Sequence, residues 1–295
     1  MTAITVVRYG GLAEFRAAVE AWLMEREAAH NLPLGILGAL AEAPATDEDD
    51  PPYLAAARRS QTIVAAVVRT PPWRLVLSEV DDPASLEILA DRIAAEDPDL
   101  PGVVGPVEHA GILAQHLGRR LGRSATRGMS ERAFELRAVI PPRPARGRAR
   151  LATPNDRALI LGWLEAFDDE AFGERRAAVG AEARVDRALA RVGSRRIWLW
   201  EDGDPVSLTG IGGPTPNGIR LGPVYTPPAY RGRGYASNLV AAASQDALDG
   251  GRRAVYLFTD IANATSNHIY QAIGYRPVRD VEEWSLGSPS GPVDS

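Results

Sequence analysis

The segment PPRPARGRAR, residues 141–150, divides the 295-residue chain into two halves, and the same order of periodicities runs through both. Three prolines and four arginines there can neither sustain a helix nor fill a core, so the segment reads as a linker. Before it, Leu12, Phe15, Val19, Trp22 and Leu23 form a helical stripe, and DEDDPP, residues 47–52, reads as a loop. The runs YLAAARRS, QTIVAAVV and WRLVLSEV predict three short strands. Residues 84–96 predict a helix, Val103 and Val104 a strand, residues 107–121 a helix, and MSERAFELRAV a closing strand. After the linker, Leu159, Ile160, Trp163, Leu164 and Phe167 share a helical face, and a second helix is expected at 180–192. RRIWLWED, DPVSLTGIGG and GIRLGPVYT then predict three strands, the first two joined by a DGD turn. A helix at 234–249, strand AVYLFTD, a helix at 264–273 and a strand at 276–286 complete the half.

This order predicts a mixed α/β fold of two domains in tandem, residues 1–140 and 151–286, each a mostly antiparallel twisted sheet flanked by helices. The short turns between successive strands favour an antiparallel meander over βαβ units. The tail GSPSGPVDS, residues 287–295, is expected to be disordered.

Composition excludes several chemistries. The chain has no cysteine and no lysine, which removes disulfides, thiolate metal sites, a cysteine nucleophile, a Schiff-base lysine and a lysine-type phosphate loop. A formal net charge of −5 argues against broad binding to nucleic acid or an anionic membrane. The longest apolar run, IVAAVV at 63–68, is far below the ~20 residues that span a bilayer, and the start MTAITVVRYGGLAEF has no signal-peptide pattern. A cytoplasmic location is the expectation. His30, His109 and His116 are scattered without ligand spacing, so no metal site is expected.

YTPPAYRGRGYAS, residues 225–237, sits between a predicted strand and a predicted helix. A helix start presents unpaired N–H groups and the positive end of the dipole, which suits a phosphate. Gly232 and Gly234 permit turns and close backbone approach, Ala236 is small, and Arg231 and Arg233 add charge at the rim. A dinucleotide fingerprint would fit Gly232 and Gly234 but has Ser237 at its third glycine, and TPPAY intrudes where that motif needs a tight turn. A plain Arg-Gly loop is the bland alternative.

The segment resembles the acyl-CoA pyrophosphate loop of the GNAT superfamily of N-acetyltransferases, in which Arg or Gln is followed after two residues by Gly, and after one more by Gly or Ala. Arg231, Gly234 and Ala236 fill those places, with Gly232, Arg233 and Tyr235 at the variable ones. DIANATSNHIYQAIGYRPV, residues 260–278, resembles the later part of the same pattern: Asn263, then Tyr270 seven residues on, then Gly274 and Tyr275. Read singly, Asn263 is a helix cap, Tyr270 a core aromatic and Gly274 a helix terminator. The resemblance covers about residues 147–286, with motif support from 220 to 278. The whole chain is also similar to tandem members of the family whose N-terminal half is degenerate.

The resemblance implies an acyl-CoA-dependent N-acyltransferase that moves acetyl from acetyl-CoA to an amine by direct attack; the primary amine of a small molecule is the first expectation, with a polyamine, an amino acid and a protein N-terminus left open as acceptors. Gly222 and Pro223 imply a bulge or splay in GIRLGPVYT, and the pantetheine arm is expected between residues 221–226 and 255–260. Backbone groups of Val224 and Thr226 would pair with it, the Val224 N–H facing the thioester oxygen. Tyr270 is the candidate general acid. The sequence does not identify the base: Glu201, Asp202 and Asp260 lie near strand ends, Asp260 first because it borders the expected slot, and a water chain could replace all three. In the N-terminal half the equivalent position reads DDPASLEILA, acidic and without paired glycines, so acyl-CoA is not expected there. That half is expected to contribute an acceptor-pocket wall instead. A non-catalytic acyl-CoA sensor is the second reading, and a dehydrogenase the third.

Overall fold

The computed structural model describes residues 3–42, 51–172 and 180–289. Residues 47–50 of the expected loop and 290–295 of the expected tail lie outside the described residues. The chain forms two compact units, one of residues 1–133, 259–262 and 278–295, the other of residues 134–258 and 263–277.

The first unit begins with β1 (Ile4–Arg8), α1 (Leu12–Met24) and α2 (Asn31–Glu42). The meander β2 (Tyr53–Arg59), β3 (Thr62–Arg69) and β4 (Leu75–Leu77) follows. Then come α3 (Ser85–Glu96), β5 (Gly102–Pro106), α4 (Ala110–Leu121) and most of β6 (Arg123–Leu136). β1 to β4 pair antiparallel in sequence and β4 pairs parallel with β5. The final strand of the chain, β12 (Arg276–Pro289), lies antiparallel to β5, with Val281 opposite Pro106 and Ser285 opposite Gly102.

Why β2 and β3 are apolar without a break follows from burial on both faces. Leu54, Ala56, Ala66 and Val68 pack with Phe15, Val19 and Leu34 of α1 and α2. Ala55, Ala57, Ala65 and Val67 pack with Leu86, Leu89 and Leu113 of α3 and α4. Alternate residues of a strand point to opposite faces, so two helical layers demand a continuous run. Each fully buried Leu or Phe contributes roughly 1.5–3 kcal/mol.

The second unit contains β7 (Arg148–Leu151), α5 (Arg157–Phe172) and α6 (Ala181–Leu189), then β8 (Arg196–Asp202), β9 (Asp204–Gly212) and β10 (Gly218–Tyr225). It continues with α7 (Tyr235–Asp249), β11 (Ala254–Asp260) and α8 (Ala264–Ile273). Its strands lie in the order β11-β10-β9-β8-β7. All pair antiparallel except β10 with β11. Gly203, at φ +79°, makes the tight β8–β9 turn expected of DGD. Residues 134–136 of β6 belong to this unit, and Phe134 and Leu136 pack with Val240, Leu257, Tyr270 and Tyr275. Ile160, Val185, Leu199, Leu208 and Tyr225 form the core on the α5–α6 side.

The mixed α/β architecture and mostly antiparallel strands agree with the sequence expectation. Several elements differ from it. β1 and α2 were not expected, and β4 is only three residues long. The end of the arginine-rich segment at 141–150 forms the edge strand β7. Arg148 and Arg150 there bond Glu201 of β8, so charges that suggest a solvated connector serve an edge. Arg150 also grips Asp156 with two hydrogen bonds of 2.8 and 2.9 Å. β12 runs to Pro289, so Gly287 and Ser288 are strand, where a disordered tail was expected.

Candidate functional site

In the second unit, β10 is paired on one side and divided on the other. Against β9 it holds Arg220 opposite Gly212 and Leu221 opposite Ile211, then resumes with Val224 opposite Thr209. Three steps along β10 match two along β9, so one extra residue bulges at Gly222 and Pro223. Gly222 sits at φ +144° and Pro223 has no N–H, a pair suited to leaving the ladder. Gly210 accommodates the bulge, because a Cβ there would come 2.8 Å from the Gly222 carbonyl oxygen. Against β11, the parallel register covers residues 218–220 with 254–256. Beyond Arg220 and Tyr256 the described register shows no further pair.

The glycine loop follows after a short 3-10 turn at Pro228–Tyr230. Gly232 and Gly234 take φ +76° and +79°, conformations costly for any residue with a Cβ. Gly234 is the N-cap of α7 and contributes no side-chain cap. The first intrahelical bond runs from the Asn238 N–H to the Gly234 carbonyl at 3.1 Å. The N–H groups of Tyr235, Ala236 and Ser237 therefore precede the helical ladder. A Cβ on Gly232 would meet nothing within 4 Å, so the loop stands open. Arg231 crosses it: Nε donates to the Thr226 carbonyl at 2.8 Å and the guanidinium pairs with Glu170 of α5 at 2.6 Å. Arg233 is exposed beside it.

The Tyr235 side chain turns inward, where its hydroxyl donates to Asp202 at 2.6 Å. Only its backbone faces the loop. Asp202 is thereby committed, and Glu201 is held ionised by Arg150.

Tyr270 is buried in α8, its ring 6.4 Å from Phe134 and 5.9 Å from Tyr275. Burial pushes its hydroxyl up to about 12, so it stays protonated at neutral pH. Tyr275 shares a 2.8 Å hydrogen bond with Ser244. Asn263 caps α8 by accepting the Ser266 N–H at 3.0 Å. Gly274 ends α8 at φ +109°, and a Cβ there would come 2.8 Å from the Ala138 carbonyl oxygen. Asp260 accepts the Ala262 N–H and belongs with Ala262 to the first unit.

Sequence reasoning missed a cavity of about 300 Å³ between α5, α6 and the sheet. Phe167, Val185, Leu208 and Pro223 line it, with Asp168, Arg184 and Arg195 among its charged residues. The apolar faces of α5 and α6 were legible, but nothing in their spacing marks where helix and sheet stand apart. Among the described residues no group of His, Asp or Glu could hold a metal ion, and no helix is long and apolar enough to cross a membrane.

Residues 160–275 match the model of the acetyltransferase (GNAT) family. No curated protein matches the sequence. Among solved structures, a Drosophila protein is 13% identical, with a TM-score of 0.67, covering 98% of this chain and 100% of its own. A tandem GNAT protein from the clavulanic acid biosynthesis pathway is 16% identical, TM-score 0.56, covering 99% and 100%. A GCN5-related N-acetyltransferase from Kribbella flavida is 18% identical, TM-score 0.56, covering 90% and 97%. These likenesses are of fold.

Proposed function

We propose, for a chain whose residues 160–275 form a domain of the acetyltransferase (GNAT) family, transfer of an acetyl group from acetyl-CoA to the primary amine of a small molecule. One observation carries the reading: a bulged strand whose parallel register stops short is followed, after a short turn at Pro228–Tyr230, by a glycine loop at a helix start without a side-chain cap.

The residues fit the co-substrate. Exposed N–H groups at the start of α7 and the positive dipole end suit a pyrophosphate, with Arg231 and Arg233 at the rim. Gly232, Gly234 and Ala236 let the backbone approach it. Val224 in β10 and Thr226 just beyond it would pair with the pantetheine arm, and Asn263 and Tyr270 lie at and within α8. Acetyl-CoA supplies an acyl thioester, an electrophile that an unprotonated amine attacks.

The Val224 N–H, beside the bulge, would stabilise charge developing on the acyl oxygen. Tyr270 holds a proton at its hydroxyl for the departing sulfur. With a pKa near 12 against about 8.5 for an ordinary thiol, that transfer relies on proximity and on desolvation of the thiolate, which also raises thiol basicity. Asp260 remains the base candidate at the end of β11. Its bond to Ala262 gives it a structural task as well.

Calorimetric titration of the full chain with acetyl-CoA tests the reading. One site per chain is expected, together with thiol release in the presence of an amine. Absence of binding to the folded protein would refute the cofactor assignment. Binding without thiol release across an amine panel would favour a sensor.

A further inference from the structure

The size and lining of the cavity between α5, α6 and the sheet specify the acceptor further, and this inference rests on the proposed acyl transfer. The cavity adjoins the bulge: Gly222 and Pro223 line it, and the Val224 N–H begins one peptide bond further on. The Gly222 carbonyl oxygen is turned to the same side, because the Cβ position of Gly210, another lining residue, lies 2.8 Å from it. A carbonyl oxygen has two lone pairs, so this one can accept a hydrogen bond from an amine as well as serve the ladder. An amine so held lies beside the group expected to polarise the acyl carbonyl.

Away from that end the wall is apolar. Leu164 and Phe167 of α5, Val185 of α6, Ile197 of β8, Leu208 of β9 and Pro223 supply it. The charged residues of the lining are already engaged within the chain. Asp168 and Arg184 lie in each other's field, and each interacts inside the protein, as does Arg195. Arg195 lies against β9, where a Cβ on Gly212 would come 3.2 Å from its Cζ. Arg196 donates 2.8 Å hydrogen bonds to the carbonyls of Gly193 and Arg195. Apolar surface is therefore what the cavity offers to the body of a ligand. Each methylene that leaves water there strengthens binding about three- to fourfold. A second charge at the far end of the ligand loses its hydration, which costs affinity. The same loss of hydration favours the unprotonated amine, the form that attacks.

Size sets the other limit. An apolar cavity of about 150 Å³ lined by Leu, Ile and Phe holds one benzene ring. At about 300 Å³ this one has room for roughly ten carbon atoms. We infer that the acceptor is a monoamine on a compact apolar body of that size or less, an alkylamine or arylalkylamine. Its nitrogen lies at the Gly222 carbonyl and its body between Leu164, Phe167, Val185 and Leu208. Nitrogen bonds to the acyl carbon, the carbon–sulfur bond breaks, sulfur takes a proton, and nitrogen releases one to solvent.

The test is a length series, ethylamine, butylamine, hexylamine, octylamine and dodecylamine, with cadaverine beside hexylamine. Cadaverine has the same length with an ammonium in place of the terminal methyl. Thiol release from acetyl-CoA by the full chain gives kcat/KM for each. The value is expected to rise about three- to fourfold per methylene from ethylamine to hexylamine, and to fall at dodecylamine. Hexylamine is expected to exceed cadaverine by about tenfold or more. Leu164→Ala enlarges the cavity and is expected to move the optimum to longer amines, and Leu164→Phe to shorter ones. Acetyl-CoA affinity by calorimetry is expected to hold in both, whereas a merely structural role for Leu164 would lower all amines alike. A flat series, a rise that continues through dodecylamine, cadaverine equal to hexylamine, or an optimum that neither variant moves overturns the inference. The wild-type series tests it alone where a variant folds poorly. Binding of the same amines without acetyl-CoA, read by thermal shift, separates the two claims. Stabilisation graded by length without thiol release sustains the pocket and removes the transfer reading. Thiol release with amines that ignore length and end charge sustains the transfer and overturns the pocket. No stabilisation and no turnover by any of them overturn the pocket even where acetyl-CoA binds.

Discussion

The two units solve the same geometric problem in opposite ways. Each runs a meander into a strand paired parallel with the next, and each follows that strand with a helix. In the second unit β10 and β11 cease pairing after Arg220 and Tyr256, and α7 starts on a glycine with no side-chain cap. In the first, Leu75 and Val76 pair with Val103 and Val104. A Cβ on Gly105 would come 2.9 Å from the Leu77 Cβ, so these strands are closed on each other. The start of α3 is filled from within: Asp82 accepts the Ala84 N–H on its side chain and the Ser85 N–H on its carbonyl. Arg59 holds the Asp82 carboxylate at 2.6 Å, and Asp81 takes the Trp22 indole N–H at 2.9 Å. Where one unit leaves donors for an incoming anion, the other supplies its own carboxylates. The two units share an element order, and they differ in the few residues after β4 and β10, acidic in one and glycine-rich in the other.

The contrast breaks hardest at Tyr270, the buried hydroxyl of the open unit. Tyr270→Phe keeps the ring packing against Phe134 and Tyr275 and removes only the proton donor. Turnover is expected to fall by about 10²-fold or more, as general acid catalysis implies, while acetyl-CoA affinity by calorimetry stays within twofold. Unchanged turnover removes Tyr270 from the mechanism.

The closed unit is tested through acid. His30 is fully buried, with Nδ1 donating to the Leu23 carbonyl at 2.7 Å and Nε2 accepting the Glu79 N–H at 3.1 Å. Both nitrogens are committed to the neutral ring. Desolvation first, opposed by the bond to the Leu23 carbonyl and helped by the charges of Arg26 and Arg279 against that of Asp81, lowers it from 6.5 to about 4. A folded value below the unfolded one means the neutral form stabilises the fold. That stability is complete above pH 6.5 and falls away toward pH 4, by about 3 kcal/mol in full. Urea unfolding followed by tryptophan fluorescence between pH 7 and 5 is expected to show a slope that His30→Gln lacks. An identical slope in the variant places the sensitivity elsewhere.

How legible all this was depends on the kind of signal. Helix faces and the meander strands announce themselves by period. The glycines at 232 and 234 do so because a positive φ admits few residues. β1 was hidden because ITVVR alternates weakly at a half-exposed edge. β7 was hidden because its arginines resemble a linker until Glu201 and Asp156 are seen beside them. The pairing of β12 with β5 joins residues far apart in sequence, and no local pattern encodes such a partner. The engagement of Tyr235 with Asp202, and of Arg231 with Glu170, is likewise invisible without coordinates.

Exchanging the two solutions gives a smaller effect. Gly234→Asp places a carboxylate at the start of α7 and forces a Cβ onto φ +79°. The variant is expected to lose about tenfold or more in acetyl-CoA affinity through repulsion and lost backbone approach, and about 1 kcal/mol in stability. Gly234→Ala separates the two, since it carries the strain without the charge. Equal affinity for the Asp and Ala variants would show that charge at the helix start is not what distinguishes the units.

The smallest effect concerns Glu170, which already does to Arg231 what Asp82 does to Arg59. On the proposed reading the Arg231 guanidinium, about half exposed, would exchange this partner for a phosphate, and Glu170 would compete with the ligand. Glu170→Gln removes the competing charge while leaving Arg231 bonded to the Thr226 carbonyl. Exposed ion pairs contribute about 0.2–1 kcal/mol, so acetyl-CoA affinity is expected to rise about two- to fivefold, and less at high salt. Weaker binding in the variant would mean that Glu170 positions Arg231 for the phosphate, making the pair part of the open loop's construction.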